Sequence, residues 1–522
     1  MDKVFAFIQA RSTSTRLPNK VVLPFTDSPE QTILDHIFLR CRTVLPEKNI
    51  IFLIPKNDQP LKSFLDERKY LYFEGSEEDV RDRYIKAANY FDAEYIIRLT
   101  GDNPFIDTFH LQLLVESTAL KNYDLASFKN LPLGGSGEIF TKIALETQPP
   151  GGITDYMAEH VSLHIKEYPE FFKVIKFIPI LDNESQTISA SIRITVDEKD
   201  DFLVAQSIYS SLKNIPNFSV YDLISLYKSN SDIFFKNKNV SQVTFKLPNA
   251  NSNLNRLKIS IFAPNNKEYG SGHFERSTIL NILLQTLGFE VTLDRDFPKV
   301  NDSDFYIIDY RDIKVPEEFP IHRVLLLDNL NPDNFKYQHF LSLPHPEMKN
   351  NFDNILFSKS SIHFQDKSKS GNLILVYAGS LGSEFCDPLD DCLLKHFPEL
   401  PILRIGGSNP NSNKIDYQNR LNRFEYQKLL SESNIFVTYY GQSIFEAALF
   451  KKKIILFSIS EYHHQLAKFF SELYPAALLG FPEDFNNFHP ENTSTILFEY
   501  PIIPKDGYLN LLSKIKDLIN KL

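Results

Sequence analysis

Short apolar runs, separated by helix-length stretches, recur along this chain and most narrow what it can fold into. Val4–Ile8, Ile50–Ile54, Tyr70–Phe73 and Tyr95–Leu99 read as buried strands. Between the last two, Glu78–Phe91 places Val80, Tyr84, Ala88 and Phe91 on one helical face. Strand and helix in alternation imply a mostly parallel sheet covered by helices. The rhythm loosens over about 130–200, where Gly134, Gly135, Gly137, Gly151 and Gly152 gather; this section is expected to cap the sheet and close over a ligand. Polar stretches from Lys236 and from Pro248 then set a boundary near 245–256. The rhythm restarts with strands at Lys258–Ala263, Phe289–Leu293, Phe305–Asp309 and Arg323–Leu327 and a helix over Glu275–Leu287. A third series has strands at Leu373–Ala378, Asn434–Thr438 and Lys453–Phe457, with a helix from Ser443. The expected class is α/β, with a Rossmann-like domain over 1–245 and two Rossmann-like subdomains over 256–365 and 370–522.

A chain of 522 residues exceeds one hydrophobic core, which agrees with this division. The net charge of −10, with no long basic run, argues against non-specific nucleic-acid binding. Three cysteines, Cys41, Cys386 and Cys392, are an odd number without a C-x-x-C pair, and read as reduced thiols of a cytoplasmic protein. No apolar run approaches the roughly 20 residues of a membrane helix. The first residues pass a charge and enter a strand, unlike a signal peptide.

The first strand runs into a loop with three cations, Arg11, Arg16 and Lys20, and small hydroxylated residues from Ser12 to Thr15. Small side chains let backbone N–H groups approach a ligand, and clustered cations suit a polyphosphate. Asp102, after Tyr95–Leu99, and Asp197, after the apolar run from Arg193, each read as a carboxylate at the carboxyl end of a strand. Ligands of α/β sheets sit at that edge, and a hard cation such as Mg2+ takes oxygen ligands together with substrate phosphates. Either aspartate alone also fits a turn or helix cap. The pair beside a cationic loop favours the ligand role.

These segments resemble the sugar nucleotidyltransferases, in particular the cytidylyltransferases that make CMP-activated acidic sugars, the spore-coat polysaccharide family among them. Arg11, Ser14, Arg16, Leu17, Pro18 and Lys20 fall on an A-R-x-x-S-x-R-L-P-x-K pattern. Asn19 replaces the usual Gly, a residue that tolerates the left-handed conformation. Thr100–Pro104 is similar to the family's T-G-D-x-P segment, and Arg193, Asp197 and Asp201 to its R-x-T-V-D-x-x-x-D segment. Gly137-Glu138-Ile139-Phe140 resembles a G-x-E-x-F piece, and Glu159-His160-Val161 another segment in which Ala158 replaces an Arg. The likeness covers about residues 1–215. It implies a GT-A-like domain in which Arg11, Ser14, Arg16 and Lys20 hold CTP. It further implies that Glu138 lies at the acidic-sugar site, that Asp102 and Asp197 bind Mg2+, and that Lys20 and Asp102 are catalytic.

In the second half, the strand Lys258–Ala263 leads to Gly270-Ser271-Gly272-His273 just before a helix. Glycines allow close approach, a helix start offers N–H donors, and His273 is placed to act as a general base near neutral pH. Tyr440-Gly441-Gln442-Ser443 joins a strand to a helix, with Ser443 suited to a diphosphate and Glu446 to a ribose; the same Ser and Glu also fit an ordinary helix start. Gln465, beginning another helix, suits a sugar. This half, about 256–475, resembles the UDP-sugar hydrolase of pseudaminic acid synthesis, itself similar to GT-B glycosyltransferases of the lipid II type. Gly270, Gly272, His273 and Arg276 match a G-x-G-H-x-x-R loop, and Gly441, Ser443 and Glu446 a G-x-S-x-x-E segment, trailed by Gln465. Lys451 and Lys452 stand where that family has a Gly, and Arg404–Pro410 has no counterpart. The likeness implies a GT-B-like pair of subdomains in which His273 activates water against a UDP-linked amino sugar. The combined expectation is a bifunctional enzyme of surface-glycan sugar activation. A GT-B glycosyltransferase, or an inactive nucleotide-sugar-binding or dimerisation module, are the alternatives for the second half, and a homodimer is compatible with all three.

Overall fold

The computed structural model describes residues 1–14, 16–27, 30–215, 217–237, 240, 257–266, 271–346, 352–365, 367–368, 371–488 and 503–522. Thr15, Gly270 and the boundary stretch 241–256 lie outside the described residues. The chain forms two compact units: Met1–Arg256 with Gln285–Gly288, and Leu257–Leu284 with Phe289–Leu522.

The first unit is built on strands β1 (Val4–Gln9), β2 (Ile50–Pro55), β3 (Tyr72–Gly75), β4 (Tyr95–Thr100), β5 (Leu125–Phe128), β6 (Glu138–Thr141) and β7 (Val174–Phe177). Their order is β3-β2-β1-β4-β6-β5-β7. Only β6 runs antiparallel to its neighbours. All six residues of β2 are buried, as a strand covered on both faces requires. Helix α1 (Ile33–Cys41) opens with a capping box between Thr32 and Asp35. Helix α2 (Val80–Tyr90) starts at the Asp79 cap and lays Val80, Tyr84, Ala87 and Ala88 on Phe5, Phe7, Ile51 and Leu53. The parallel core and its helix therefore match the sequence reading to within two residues, the strand expected at Tyr70–Phe73 being shifted to Tyr72–Gly75. The section over 130–200 hides part of the sheet itself. Strands β5, β6 and β7 are only four residues long, too short to show a period.

One expected strand is absent. Arg193–Val196 forms an isolated bridge to Leu133, not a ladder. Its backbone divides its bonds: Ile194 N reaches Leu133 O at 2.9 Å, and Val196 N reaches Asp102 O at 2.8 Å. Apolar content reported burial there, not extension in a sheet. Helix α3 (Lys199–Leu212) follows, with Asp201 turned back to cap its start.

The second unit holds two wholly parallel sheets. The first contains β8 (Lys258–Phe262), β9 (Glu290–Asp294), β10 (Phe305–Ile308), β11 (Val324–Leu327) and β12 (Gln338–Phe340), in the order β9-β8-β10-β11-β12. The second contains β13 (Ile374–Gly379), β14 (Ile402–Gly406), β15 (Ile415–Gln418), β16 (Ile435–Thr438), β17 (Lys453–Phe457) and β18 (Ala476–Gly480), in the order β15-β14-β13-β16-β17-β18. In sequence rank these are 2-1-3-4-5 and 3-2-1-4-5-6, the two common doubly wound orders. The order reverses between β8 and β10 in one sheet and between β13 and β16 in the other. Strand β14 escapes the sequence reading because Arg404 interrupts its apolar run. That arginine is fully buried, with Nε 3.0 Å from Asp390.

Helix α4 (Gly272–Thr286) begins three residues earlier than expected, which puts His273 in its first turn. Helix α5 (Arg423–Glu432) is tied to it by Arg423 Nη2 on Glu275 at 2.8 Å. Helices α6 (Gln442–Leu449) and α7 (Glu461–Leu473) follow β16 and β17. Lys451 takes a positive φ, 56°, a left-handed conformation that favours glycine. The last helix, α8 (Gly507–Ile519), returns to the first sheet's side: Tyr508 donates to Arg276 O at 3.1 Å and Lys514 to His339 O at 2.7 Å. All three cysteines are free and buried. Among the described residues, no helix is long and apolar enough to cross a membrane.

Candidate functional site

In the first unit, the order of strands reverses between β1 and β4, and the candidate residues meet at the carboxyl ends of these strands. Gly101 makes this possible. A Cβ there would stand 2.9 Å from that of Ala10, so only glycine lets the end of β4 close on the end of β1. Asn19 takes φ 56° and ψ 16°, the left-handed geometry its substitution for Gly implies. That turn aims Lys20 inward. Its Nζ lies 3.1 Å from Asp197 Oδ1, 3.4 Å from Asp102 Oδ2 and 2.6 Å from Val196 O. Lys20 is thus clamped between the two aspartates that the sequence singles out.

The outer parts of the site order themselves around this clamp. Arg16 Nη2 reaches Asp197 Oδ1 at 3.0 Å, and its Nη1 reaches Glu198 at 3.4 Å. Arg193 bridges Asp197, at 2.9 Å, and Asp201, at 3.0 Å. Asp201 also accepts the N–H groups of Asp197 and Glu198. The spacing of Arg193, Asp197 and Asp201 therefore has a mechanical meaning: Arg193 and Asp201 hold Asp197 in place. Burial alone would raise the Asp197 carboxyl, but Lys20, Arg16 and Arg193 outweigh it and lower it. Asp102 accepts from Thr100 Oγ1 at 2.7 Å. Ser14 Oγ accepts the N–H of Leu17 at 3.3 Å, so it shapes the loop. Arg11 is exposed and has no carboxylate partner among the described residues.

Glu138 is buried, and its oxygens are taken up by Arg98 at 3.2 Å and by Ser162 and Lys166. Burial pushes its carboxyl up, yet Lys166 and Arg98 pull it down to about 2. A carboxyl depressed in the folded state stabilises above its unfolded pKa and loses that contribution as pH falls toward the folded value. Glu138→Gln is therefore expected to flatten the acid limb of the first unit's unfolding profile between about pH 4.5 and pH 2. Circular dichroism across that range checks it; an unchanged slope would remove Glu138 from the acid response.

In the second unit, a cavity of about 210 Å³ lies where both sheets reverse their order. Its wall includes Gly272, His273 and Arg276 from α4, Thr438 to Ser443 from the end of β16 and the start of α6, and Tyr462 and His463 from α7. His273 Nδ1 lies 2.7 Å from Asp309 Oδ1, at the end of β10. Arg276 is fully occupied: Nε holds Asp309 at 2.8 Å, Nη1 holds Asp328 at 2.5 Å and Ser342 at 3.0 Å, and Nη2 meets Asp309 and His273. Burial would raise the Asp309 carboxyl, and Arg276 and His273 drive it well below the usual carboxylate range.

The structure brings Gly272, His273, Arg276, Gly441 and Ser443 to one cavity. It does not bring Glu446 or Gln465 there. Glu446 is buried behind α6, accepting from Ser361 at 2.8 Å and Gln427 at 2.7 Å. Burial raises its carboxyl. Gln465 is exposed, and the residues of α7 on the wall are Tyr462, His463 and Leu466. The sequence reading passed over Asp309, although the rule applied to Asp102, a carboxylate just after an apolar strand, finds it equally well.

Residues 5–236 match the cytidylyltransferase family. The chain is 32% identical over 246 residues to an uncharacterised protein of Methanocaldococcus jannaschii, covering 47% of this chain and 98% of that protein. It is 29% identical over 236 residues to the spore coat polysaccharide biosynthesis protein SpsF of Bacillus subtilis, covering 44% and 97%. A solved cytidylyltransferase from Leptospira borgpetersenii is 29% identical, with a TM-score of 0.41, covering 47% of this chain and 99% of that one. The family match over residues 5–236 and the 32% identity to nearly the whole of the Methanocaldococcus protein show that through these residues the chain belongs to the cytidylyltransferase family.

Proposed function

We propose that the first unit transfers CMP from CTP to the hydroxyl of an acidic sugar of the nonulosonic type, in surface-glycan synthesis, and that it needs Mg2+. The observation that carries this is Lys20, held between Asp102 and Asp197 with Arg16 alongside. The sugar hydroxyl oxygen attacks the α-phosphorus of CTP and gives up its proton to solvent, the bond to the bridging oxygen of the β-phosphate breaks, and pyrophosphate departs. Arg11, Arg16 and Lys20 supply positive charge for the triphosphate and for the charge that grows on the leaving group. Asp102 and Asp197 present carboxylate oxygens to one point, the donor type that suits a hard cation completed by substrate phosphates. Bound there, Mg2+ supplies charge neutralisation for the phosphates.

The second unit is read as a GT-B-like nucleotide-sugar enzyme that hydrolyses a UDP-linked amino sugar. Its support is a cavity at two topological switch points, with His273 backed by Asp309 on its wall. His273 takes a proton from water as the water oxygen bonds to the sugar's anomeric carbon, and UDP leaves with the glycosidic oxygen. If an acceptor hydroxyl replaces the water, the same geometry serves a glycosyltransferase. The test is a panel of nucleoside triphosphates and acidic sugars scored for pyrophosphate. Release is expected with CTP, to stop on chelation and to return with Mg2+. No release with any pair would overturn the first assignment. UDP-sugars scored for free sugar or glycosylated acceptor separate the two readings of the second unit, and no UDP release would sink both.

A further inference from the structure

Two arginines line the cavity of the second unit, and they differ in what they are free to do. Arg276 has every guanidinium nitrogen engaged, as described above. Arg311 stands two residues beyond Asp309, past the carboxyl end of β10. Among the described residues, the guanidinium of Arg311 makes no hydrogen bond. Its nearest carboxylate, Asp312, is 4.0 Å away and more than half exposed. Its guanidinium carbon lies 5.9 Å from the centre of the Tyr462 ring, on the cavity wall.

Among the described residues, no free negative charge in the cavity answers it: Asp328, the one carboxylate of the wall among them, is held by Arg276 and by Ser342. His463, also on the wall, is pushed down to about 4 by burial and by Arg311, and is neutral at pH 7. Among the described residues, the cavity therefore has one uncommitted positive charge, that of Arg311. The same wall holds the start of α6, which has no side-chain cap and carries the positive end of the helix dipole.

The glycines of the wall supply a second, independent pointer. A Cβ built on Gly272 or on Gly441 would meet nothing within 4 Å, and Gly441 has an extended φ of 172°. Neither packing nor backbone conformation asks for glycine there. What the missing side chains leave is room beside two helix starts, and both glycines line the same cavity as the uncommitted arginine.

We propose that Arg311 binds the diphosphate of a nucleoside-diphosphate ligand in the cavity it shares with Gly441 and the start of α6. This rests on the nucleotide-sugar reading of the second unit. A diphosphate carries more charge than a helix start balances, and a guanidinium offers paired donors for phosphate oxygens. The same guanidinium chemistry would accept a sugar carboxylate, so the test must tell the two apart.

The test is calorimetric titration of the full chain with UDP, uridine, glucuronate and CTP, comparing the natural protein with Arg311→Ala and Arg311→Lys. The first-unit site is unaltered in both variants, so differences report on the second. Arg311→Ala is expected to weaken UDP about tenfold or more, to leave uridine and CTP unchanged, and to be partly rescued by Arg311→Lys. An unchanged UDP affinity would overturn the proposal, as would equal weakening of UDP and uridine, which marks a change of cavity shape. Loss of glucuronate binding with UDP intact would assign Arg311 to a sugar carboxylate instead, and so also overturn it. If the natural protein shows no second-unit UDP binding, the nucleotide reading itself fails. Pyrophosphate then decides what remains: an Arg311-dependent component retains a diphosphate site, and none rejects it.

Discussion

Lys20→Ala is expected to lower CTP-dependent pyrophosphate release by about 10²–10³-fold, the usual cost of removing a charge aimed at a developing oxyanion. Lys20 is the hub of its site, with Asp102, Asp197 and the Val196 carbonyl all within 3.4 Å of its Nζ. Removing it has two effects. The triphosphate loses a cation, and two partly buried carboxylates are left facing each other. Their mutual repulsion raises the affinity of the pair for protons. The remaining activity of the variant should therefore shift its acidic limb to higher pH, a change that simple loss of a phosphate contact would not produce. Arg16→Ala is the comparison. Its side chain is half exposed and reaches Asp197 but not Asp102, so its loss should reduce activity less and move the acidic limb less than the loss of Lys20 does. Steady-state assays from pH 5 to pH 9 decide the matter, and a Lys20→Ala enzyme with full turnover would remove Lys20 from the chemistry.

The largest effect on stability is expected at Asp309. Its carboxylate is wholly buried and receives Arg276, His273 and the Ser277 hydroxyl. Truncation to Ala leaves the buried Arg276 with one carboxylate partner instead of two. Breaking one side of such a buried pair costs about 3–5 kcal/mol. For a unit of this size that corresponds to a fall in melting temperature of roughly 10 °C. Asp309→Asn keeps an acceptor for Arg276 and should recover part of the loss, but it cannot hold a protonated His273. The Asn variant is therefore expected to be folded and poor at UDP release. Asp302→Ala, which removes an exposed ion pair with Lys258, should leave the transition where it is. Differential scanning calorimetry separates these cases. An Asp309→Ala protein that melts with the natural one would show that Arg276 finds another partner.

How far the sequence reaches depends on what kind of signal a residue leaves. The strands β1, β2, β4, β8, β10, β13, β16 and β17 are apolar throughout, or nearly so, and were legible as buried strands. Strand β6 was not, being four residues long with a charge at its start, and β14 was not, because Arg404 leaves only two apolar residues in a row before it; the charges they carry, Glu138 and Arg404, are met inside the fold by partners elsewhere in the chain. Nothing local reveals such a pairing. The segment from Arg193 to Val196 misled in the opposite sense, since its apolar residues are buried without joining a ladder. Within the sites, short-range patterns single out Lys20, Asp102 and Asp197, which the structure brings together, and His273, which it sets on the cavity wall. They also single out Glu446, which lies off that wall and whose spacing from Ser443 is also that of one helical turn. Burial of its carboxylate between Ser361 and Gln427, far away in the chain, decides its direction.

The placing of helix α8 has a consequence for how the protein is made. Its residues leave the ribosome after both sheets of the second unit, yet Tyr508, Asn510 and Lys514 complete bonds to Arg276, Asp353 and His339 of the earlier part. Gly507 fits against the backbone of Ile355 with no space for a side chain. The first sheet of this unit thus waits, with one flank uncovered, while more than a hundred further residues are translated. Its closure is a late event in synthesis, and any ribosome stalled beyond the second sheet carries an exposed surface that draws chaperones.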